Sequence, residues 1–257
     1  EKYAEDGLLI VGVHTPEFEF EKEFENVQRA VEKYDVKYPV VLDNDYSTWT
    51  AYKNRYWPRK YLIDIDGYIV YDHIGEGGYD ETEAKIVELL NERRLVLGEE
   101  GEVTAENGNL EGVQDVDFEK VATRETYLGN ARIEFLLNLP NTGCLSGSCD
   151  YVFSNTPPVN NGYELSGTWM TNEESATLTS STGAIRIAFN ASKVNLVAGA
   201  EKPVRARILV DGQEVGAAAF TAHDLYNLVD LKGQYGSHIL EIQFLDPGIS
   251  AFAFTFG

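Results

Sequence analysis

The chain has 257 residues, 43% of them hydrophobic and 12% aromatic, which is enough apolar material for two ordinary domains and excludes a disordered chain. With 42 acidic against 21 basic residues the formal net charge is -21, so nucleic acid is an unfavourable partner, as is an anionic membrane surface. No apolar run approaches the roughly 18 residues that a membrane-spanning helix needs.

Taken in chain order, Gly7 to Val13 is a short apolar run with β-branched residues in its middle, the pattern of a strand buried on both faces. From about Glu19 to Tyr34, Phe20, Phe24, Val27 and Val31 recur at helical spacing and predict one amphipathic helix. Tyr38 to Leu42 predicts a second buried strand and Asp45 to Asn54 a short helix. Arg59 to Ile63 and Tyr68 to Tyr71 flank Asp64-Ile65-Asp66-Gly67, whose Asp-Gly suits a tight hairpin turn. A helix from about Asp80 to Arg93 follows. Alternating strands and helices closed by a hairpin predict an α/β layered domain over residues 1–97.

Residues 98–126 read as an acidic linker, since Glu99 to Glu119 holds eight acids and no Lys or Arg. From about Arg132 the period switches to two. Ile185, Ile187 and Phe189 alternate with Arg186 and Ala188, Val204 to Val210 do the same, and so do Leu240, Ile242 and Phe244. Short strands between turn signals, without a helical stretch, predict an all-β jelly-roll sandwich over residues 127–257.

The two cysteines, Cys144 and Cys149, have four residues between them, which is neither CxxC nor a zinc pattern. A local disulfide, fitting an oxidising compartment, is the favoured reading; two buried free thiols are the alternative, and a catalytic pair is weaker than either. His14 and Glu17 stand at a strand-to-helix boundary where α/β proteins place ligands, although Thr15 and Pro16 beside them read as plain helix-start chemistry. His73, His223 and His238 lack paired ligand spacing, so no metal is expected, and the absence of a phosphate loop gives no reason to expect a cofactor.

Four stretches of the first half, among them GLLIVGVHTPEFEFEKE and RYWPRKYLIDIDGYIVYDHIGEG, resemble the TlpA/DsbE-type thioredoxin-like proteins, and more closely the soluble end of the DipZ type. ETYLGNAR, ELSGTWM and LDPGISAFAFTFG resemble the C-terminal module of the same type, so the resemblance spans nearly the whole chain. It implies a thioredoxin-like domain followed by a carbohydrate-binding-module-like sandwich, with Pro58 as the cis-proline and Trp57 before it as the substrate-binding residues. In such a domain a CxxC lies at the start of the helix after the first strand, where helix dipole and backbone N–H groups lower the thiol pKa. Glu1 to Gly7 looks like the tail of that helix. The first strand and the CxxC are therefore expected upstream, leaving this chain without an attacking thiol.

The resemblance further implies an extracytoplasmic thiol–disulfide oxidoreductase, membrane-tethered when intact. Its partners would be disulfide-bonded proteins and a membrane electron donor, and a bare strand edge would leave self-association into a homo-oligomer open. The competing reading is a non-catalytic adaptor whose sandwich recognises a glycan or envelope partner, with Tyr163, Trp169, Arg186 and Tyr226 as candidate ligand residues.

Overall fold

The computed structural model describes residues 2–105, 116–117, 119–140, 143–144, 146–159 and 161–257. The chain divides into two compact units, Glu1–Glu111 and Gly112–Gly257.

The first unit contains β1 (Gly12–His14), a 3-10 turn (Glu19–Lys22), α1 (Phe24–Lys33), β2 (Val40–Leu42), α2 (Ser47–Ala51), β3 (Arg59–Ile63), β4 (Ile69–Ile74) and α3 (Tyr79–Leu97). Strands β1 and β2 pair in parallel, with Val13 opposite Val41, and β3 and β4 pair antiparallel as a separate two-stranded sheet. The order of elements is the expected one; their extents differ. The helix expected over 19–34 is broken, because Glu23 takes an extended conformation between the 3-10 turn and α1. The break follows from Glu21, whose carboxylate reaches back to accept the Glu17 and Phe18 N–H groups and so closes a separate turn.

The strand expected from Gly7 shortens to Gly12–His14. Nor is it buried on both faces: Leu9 is 78% and Val11 50% exposed, and Val41 in β2 is 45% exposed. The buried residues Tyr3, Leu90 and Val103 form this unit's small core. The expected tight Asp-Gly hairpin is present as a three-residue loop. Gly67 N–H donates to the Asp64 carbonyl, Asp64 Oδ1 takes the Asp66 and Tyr68 N–H groups, and Gly67 sits at φ +89°, the left-handed conformation that ends such a loop.

Both ends of the expected acidic linker are docked. Val103 is buried, and its peptide N–H and C=O are both held by the Asn91 side chain, 2.8 and 2.9 Å away. At the other end Ala122 N–H donates to the Asn190 carbonyl and Thr123 Oγ1 accepts the Asn190 N–H. Residues 106–115, at its centre, lie outside the described residues.

The second unit is all β among the described residues. Its strands are β5 (Thr126–Tyr127), β6 (Gly147–Tyr151), β7 (Tyr163–Thr171), β8 (Ala176–Leu178), β9 (Gly183–Ala191), β10 (Lys193–Gly199), β11 (Val204–Val210), β12 (Gln213–Phe220), β13 (Asp224–Asp230), β14 (Gly236–Phe244) and β15 (Ser250–Phe256). One layer runs β12-β11-β14-β9-β7 and the other β6-β7-β8-β15-β10-β13, with β5 added beside β15. Strand β7 belongs to both. Tyr163–Ser166 pair with β9, Gly167–Thr171 pair with β6, and the chain changes layer at Gly167. Gly167 has φ +99°, and a Cβ there would come within 2.7 Å of Ser180 Oγ and 2.9 Å of the Thr182 carbonyl, so the crossing requires glycine.

The period-two alternation lands as its residues dictate. Ile185, Ile187 and Phe189 of β9, Ala206 and Ile208 of β11, and Leu240, Ile242 and Phe244 of β14 are all buried in one core shared with Val194, Leu196 and Phe254 of the other layer. Each large side chain so buried contributes roughly 1.5–3 kcal/mol, which explains why this unit, unlike the first, has a continuous core.

Candidate functional site

The site on the first unit is assembled where β1 and β2 end side by side. Because the two strands run parallel and in register, Asp43 N–H donates to the His14 carbonyl at 2.9 Å, bringing Thr15 and Asp43 together just beyond their ends. Both are buried, at 7% and 2% exposure. A carboxylate at that depth needs donors, and Asp43 has four: Thr15 Oγ1 (3.1 Å), Ser47 Oγ (3.1 Å), Thr48 N–H (2.8 Å) and Trp49 N–H (2.8 Å). Burial alone would raise this carboxyl, but the backbone donors with the two hydroxyls outweigh it and hold it below its ordinary value. Asp43 thereby fixes the start of α2 and the direction of Trp49.

Trp49 packs on Trp57, with ring centroids 4.2 Å apart and planes tilted by 35°. Trp57 Nε1 donates to the Thr15 carbonyl at 3.1 Å, and the Tyr46 hydroxyl donates to the Pro16 carbonyl. These contacts tie the segment before β3 to the ends of β1 and β2. The Trp57–Pro58 peptide is cis. The Pro58 carbonyl accepts Gly75 N–H at 2.9 Å, so the β3–β4 pairing continues up to Pro58. Trp57 is 48% exposed, and among the described residues its own peptide N–H and C=O make no hydrogen bond. The result, among the described residues, is a short stretch of backbone with an unused donor and acceptor, held by these contacts at the end of a sheet.

His14 and Glu17 border this region without facing one another as a ligand pair. His14 Nε2 donates to the Glu21 carbonyl at 3.0 Å, and Glu17 N–H is one of the donors to the Glu21 carboxylate at 2.6 Å. Burial pushes the Glu21 carboxyl up; the Glu17 and Phe18 N–H groups and His14 oppose it without cancelling it. Of this cluster Asp43 and Trp49 were not singled out from the sequence, and Thr15 was read only as helix-start chemistry. The available signal was Asp43 four residues ahead of Ser47, an acid just before a short helix whose first free N–H groups it can reach.

The residues expected to bind a ligand on the sandwich serve its packing instead. Tyr163 and Trp169 are fully buried at 0% exposure, so neither offers a ring face, and burial also pushes the Tyr163 hydroxyl up. Arg186 lies opposite Glu164 across the β7–β9 ladder, its Nε donating to Glu164 Oε2 at 3.2 Å and its guanidinium 4.4 Å over Phe153. Its Nη2 also donates to the Ser154 and Thr156 carbonyls, so the group pins the 153–156 segment. The Tyr226 ring is 4.7 Å from Phe220, and its hydroxyl donates to the Ala222 carbonyl at 2.7 Å while accepting the Thr221 and Ala222 N–H groups. The alternation that identifies a strand does not say which face is core, and here the large aromatic side chains are on the core side. A surface depression of about 530 Å³ lies elsewhere, lined by Asn190, Asp211, Ser237 and His238 among others. Cys144 and Cys149 form a disulfide at the start of β6, with Cys149 buried opposite Trp169. Among the described residues no group of His, Cys, Asp and Glu could hold a metal ion.

Residues 123–257 match the family model described as the thioredoxin-like C-terminal domain. The chain belongs to this family. This chain is 31% identical over 259 aligned residues to Protein DipZ of Mycobacterium tuberculosis (strain CDC 1551 / Oshkosh), covering 99% of the chain and 35% of that protein. The same values hold for Protein DipZ of Mycobacterium bovis. The chain is also similar to the thiol-disulfide oxidoreductase ResA of Bacillus cereus, 31% identical over 88 residues, or 34% of this chain and 48% of ResA. The chain thus spans about a third of the length of the DipZ relatives it matches. These similarities join a chain with an α/β unit followed by a β-sandwich to relatives that include a thiol-disulfide oxidoreductase.

Proposed function

We propose that this family member is the partner-binding portion of an extracytoplasmic thiol–disulfide oxidoreductase, with the Trp57–Pro58 edge as the place where a disulfide-bearing partner is laid. The observation that carries the reading is the unused peptide N–H and C=O of the exposed Trp57, directly before the cis peptide. An extended segment added beside such a backbone gains a hydrogen-bonded pair at once, the mode by which sheet edges capture strands. The Trp49–Trp57 pair and the Asp43 network hold that edge in place before the partner arrives, so little ordering entropy remains to be lost.

The redox chemistry needs a thiolate, and the two cysteines of this sequence are bonded to each other in the sandwich. In this reading the attacking pair is contributed by residues other than these 257, and the proposed partners are disulfide-bonded extracytoplasmic proteins together with a membrane electron donor. The Cys144–Cys149 disulfide supports an oxidising compartment. No helix among the described residues is long and apolar enough to cross a membrane.

Oxidised insulin B chain, an extended polypeptide, tests the reading. Titrated into the labelled protein, it should shift the Trp57 indole resonance and slow exchange of the Trp57 amide. Unchanged resonances over residues 56–59 throughout the titration would refute the docking edge. In a turbidity assay with intact insulin and dithiothreitol, the chain by itself should add nothing to the uncatalysed rate.

A further inference from the structure

The first unit has twelve Lys and Arg residues, and ten of their side chains hold a partner in the same unit. Lys2, Lys22, Lys37, Arg59, Lys85, Arg93 and Arg94 pair with carboxylates. Arg29 donates to the Asn26 side chain, Lys33 lies over Tyr34, and Lys60 donates to the Gly77 carbonyl. The remaining two are Lys53 and Arg55. Among the described residues neither side chain makes an ion pair or hydrogen bond, and both are exposed. In an acidic protein, two cations left without any such side-chain partner among the described residues are the exception.

Their place is not arbitrary. Both stand in the turn that leads from α2 into Trp57, and Asn54 between them folds that turn by accepting the Arg55 and Tyr56 N–H groups and donating to the Tyr56 carbonyl. Lys53 itself has φ 52°, the left-handed position just past the helix end that glycine or asparagine occupies at lower cost. No acid occurs between Asp45 and Asp64. Beside the cations the surface is aromatic, with Tyr56 49% and Trp57 48% exposed. At physiological ionic strength charges farther than roughly 8 Å are largely screened, so a segment lying along this edge is governed by these two cations rather than by the net charge of the whole chain.

Resting on the docking reading above, we infer that the partner segment received at Trp57 is acidic: an extended stretch with carboxylates placed to meet Lys53 and Arg55, and an apolar side chain set on the exposed Trp57 ring. The cations recognise the carboxylates; the backbone of Trp57 holds the strand.

The probes are two short extended peptides on one Ser/Val framework, one with glutamates and the other with lysines at the same places. Binding is read on the full chain from the resonances of the Trp57 indole and of residues 56–59. The glutamate peptide should bind on the order of tenfold tighter than the lysine peptide at low salt, as two exposed ion pairs provide, and most of that preference should vanish in concentrated salt. The double variant Lys53→Glu, Arg55→Glu should invert the preference. Neither residue packs in the unit, so the variant tests recognition rather than folding, and an unchanged unfolding midpoint verifies this. If both peptides bind at Trp57 with equal affinity, or the double variant keeps the glutamate preference, the acidic-partner inference is overturned while the docking edge stands. If neither peptide moves the Trp57 resonances, the docking edge fails and this inference with it.

Discussion

Asp43 is the residue on which the geometry of the Trp57 edge depends most, and its replacement has a magnitude that can be worked from its contacts. In Asp43→Ala the N–H groups of Thr48 and Trp49, each 2.8 Å from the carboxylate, lose their acceptor, and so do the hydroxyls of Thr15 and Ser47. Hydroxyls can turn to other acceptors, but the two N–H groups cannot. Loss of a helix cap costs about 0.5–2 kcal/mol and a buried donor left unmet about 1–3 kcal/mol. Together they give roughly 3 kcal/mol for alanine. Asparagine keeps one acceptor oxygen and turns its NH₂ toward one of the two N–H groups, so it should cost about half as much.

For a domain of this size, each kcal/mol moves the midpoint by about 4–8 °C, so alanine should lower it by roughly 12–24 °C. Thermal unfolding followed by tryptophan emission reads this, because Trp49 and Trp57 report the first unit and the buried Trp169 reports the sandwich. The sign with pH is fixed by the same contacts. The folded carboxyl titrates below its ordinary 3.8, so its stabilisation is present above that pH and is lost as pH falls through the lower folded value. In the asparagine variant this acid-limb loss should be smaller than in the wild type. Alanine and asparagine variants that both unfold within about 0.5 kcal/mol of wild type, below the cost of even one unmet buried donor, would refute the reasoning.

Removing the disulfide by Cys144→Ser with Cys149→Ser reopens a loop whose ends are five residues apart, which should cost the sandwich about 2 kcal/mol in chain entropy. Urea unfolding read at Trp169, with and without dithiothreitol, checks it, and the variant should be indifferent to the reductant. Arg186→Met leaves Glu164 buried without its cation and should destabilise by about 3–5 kcal/mol, whereas adding Glu164→Gln should recover most of the loss; calorimetry of both variants separates the two outcomes. Glu21 carries the opposite sign to Asp43. Its folded carboxyl titrates above the ordinary 4.5, so its contribution is present below that pH and is lost as pH rises through the folded value. Glu21→Gln, which keeps an acceptor for Glu17 and Phe18, should therefore raise stability at neutral pH relative to wild type and gain nothing in acid, as parallel melts at the two pH values would show.

By itself the sequence determined the order of elements, the change of period near residue 132 and which side chains of β9, β11 and β14 share a face. These are local properties: a strand's period of two and a helix's of about 3.6 are imposed by backbone geometry, whatever lies beyond. The pairing of Cys144 with Cys149 was legible for the same reason, since so few residues separate them. The motif around Trp57 and Pro58 was legible through resemblance. The break at Glu23 was not, because a carboxylate capping its own turn competes with a continuous apolar stripe.

Only the tertiary structure decided that Tyr163 and Trp169 face inward, because alternation marks a strand's two faces without saying which one another layer will cover. It also decided the environment of Asp43: Thr15 and Trp49 become its partners through the parallel register of β1 and β2, a contact between residues far apart in the chain. The unsatisfied backbone at Trp57 is likewise a property of what does not pair with it, and the uncovered faces of Val13 and Val41 follow from which strands lie beside them. Local pattern states what a segment can become, whereas burial and partnership are set by the neighbours that the fold brings to it.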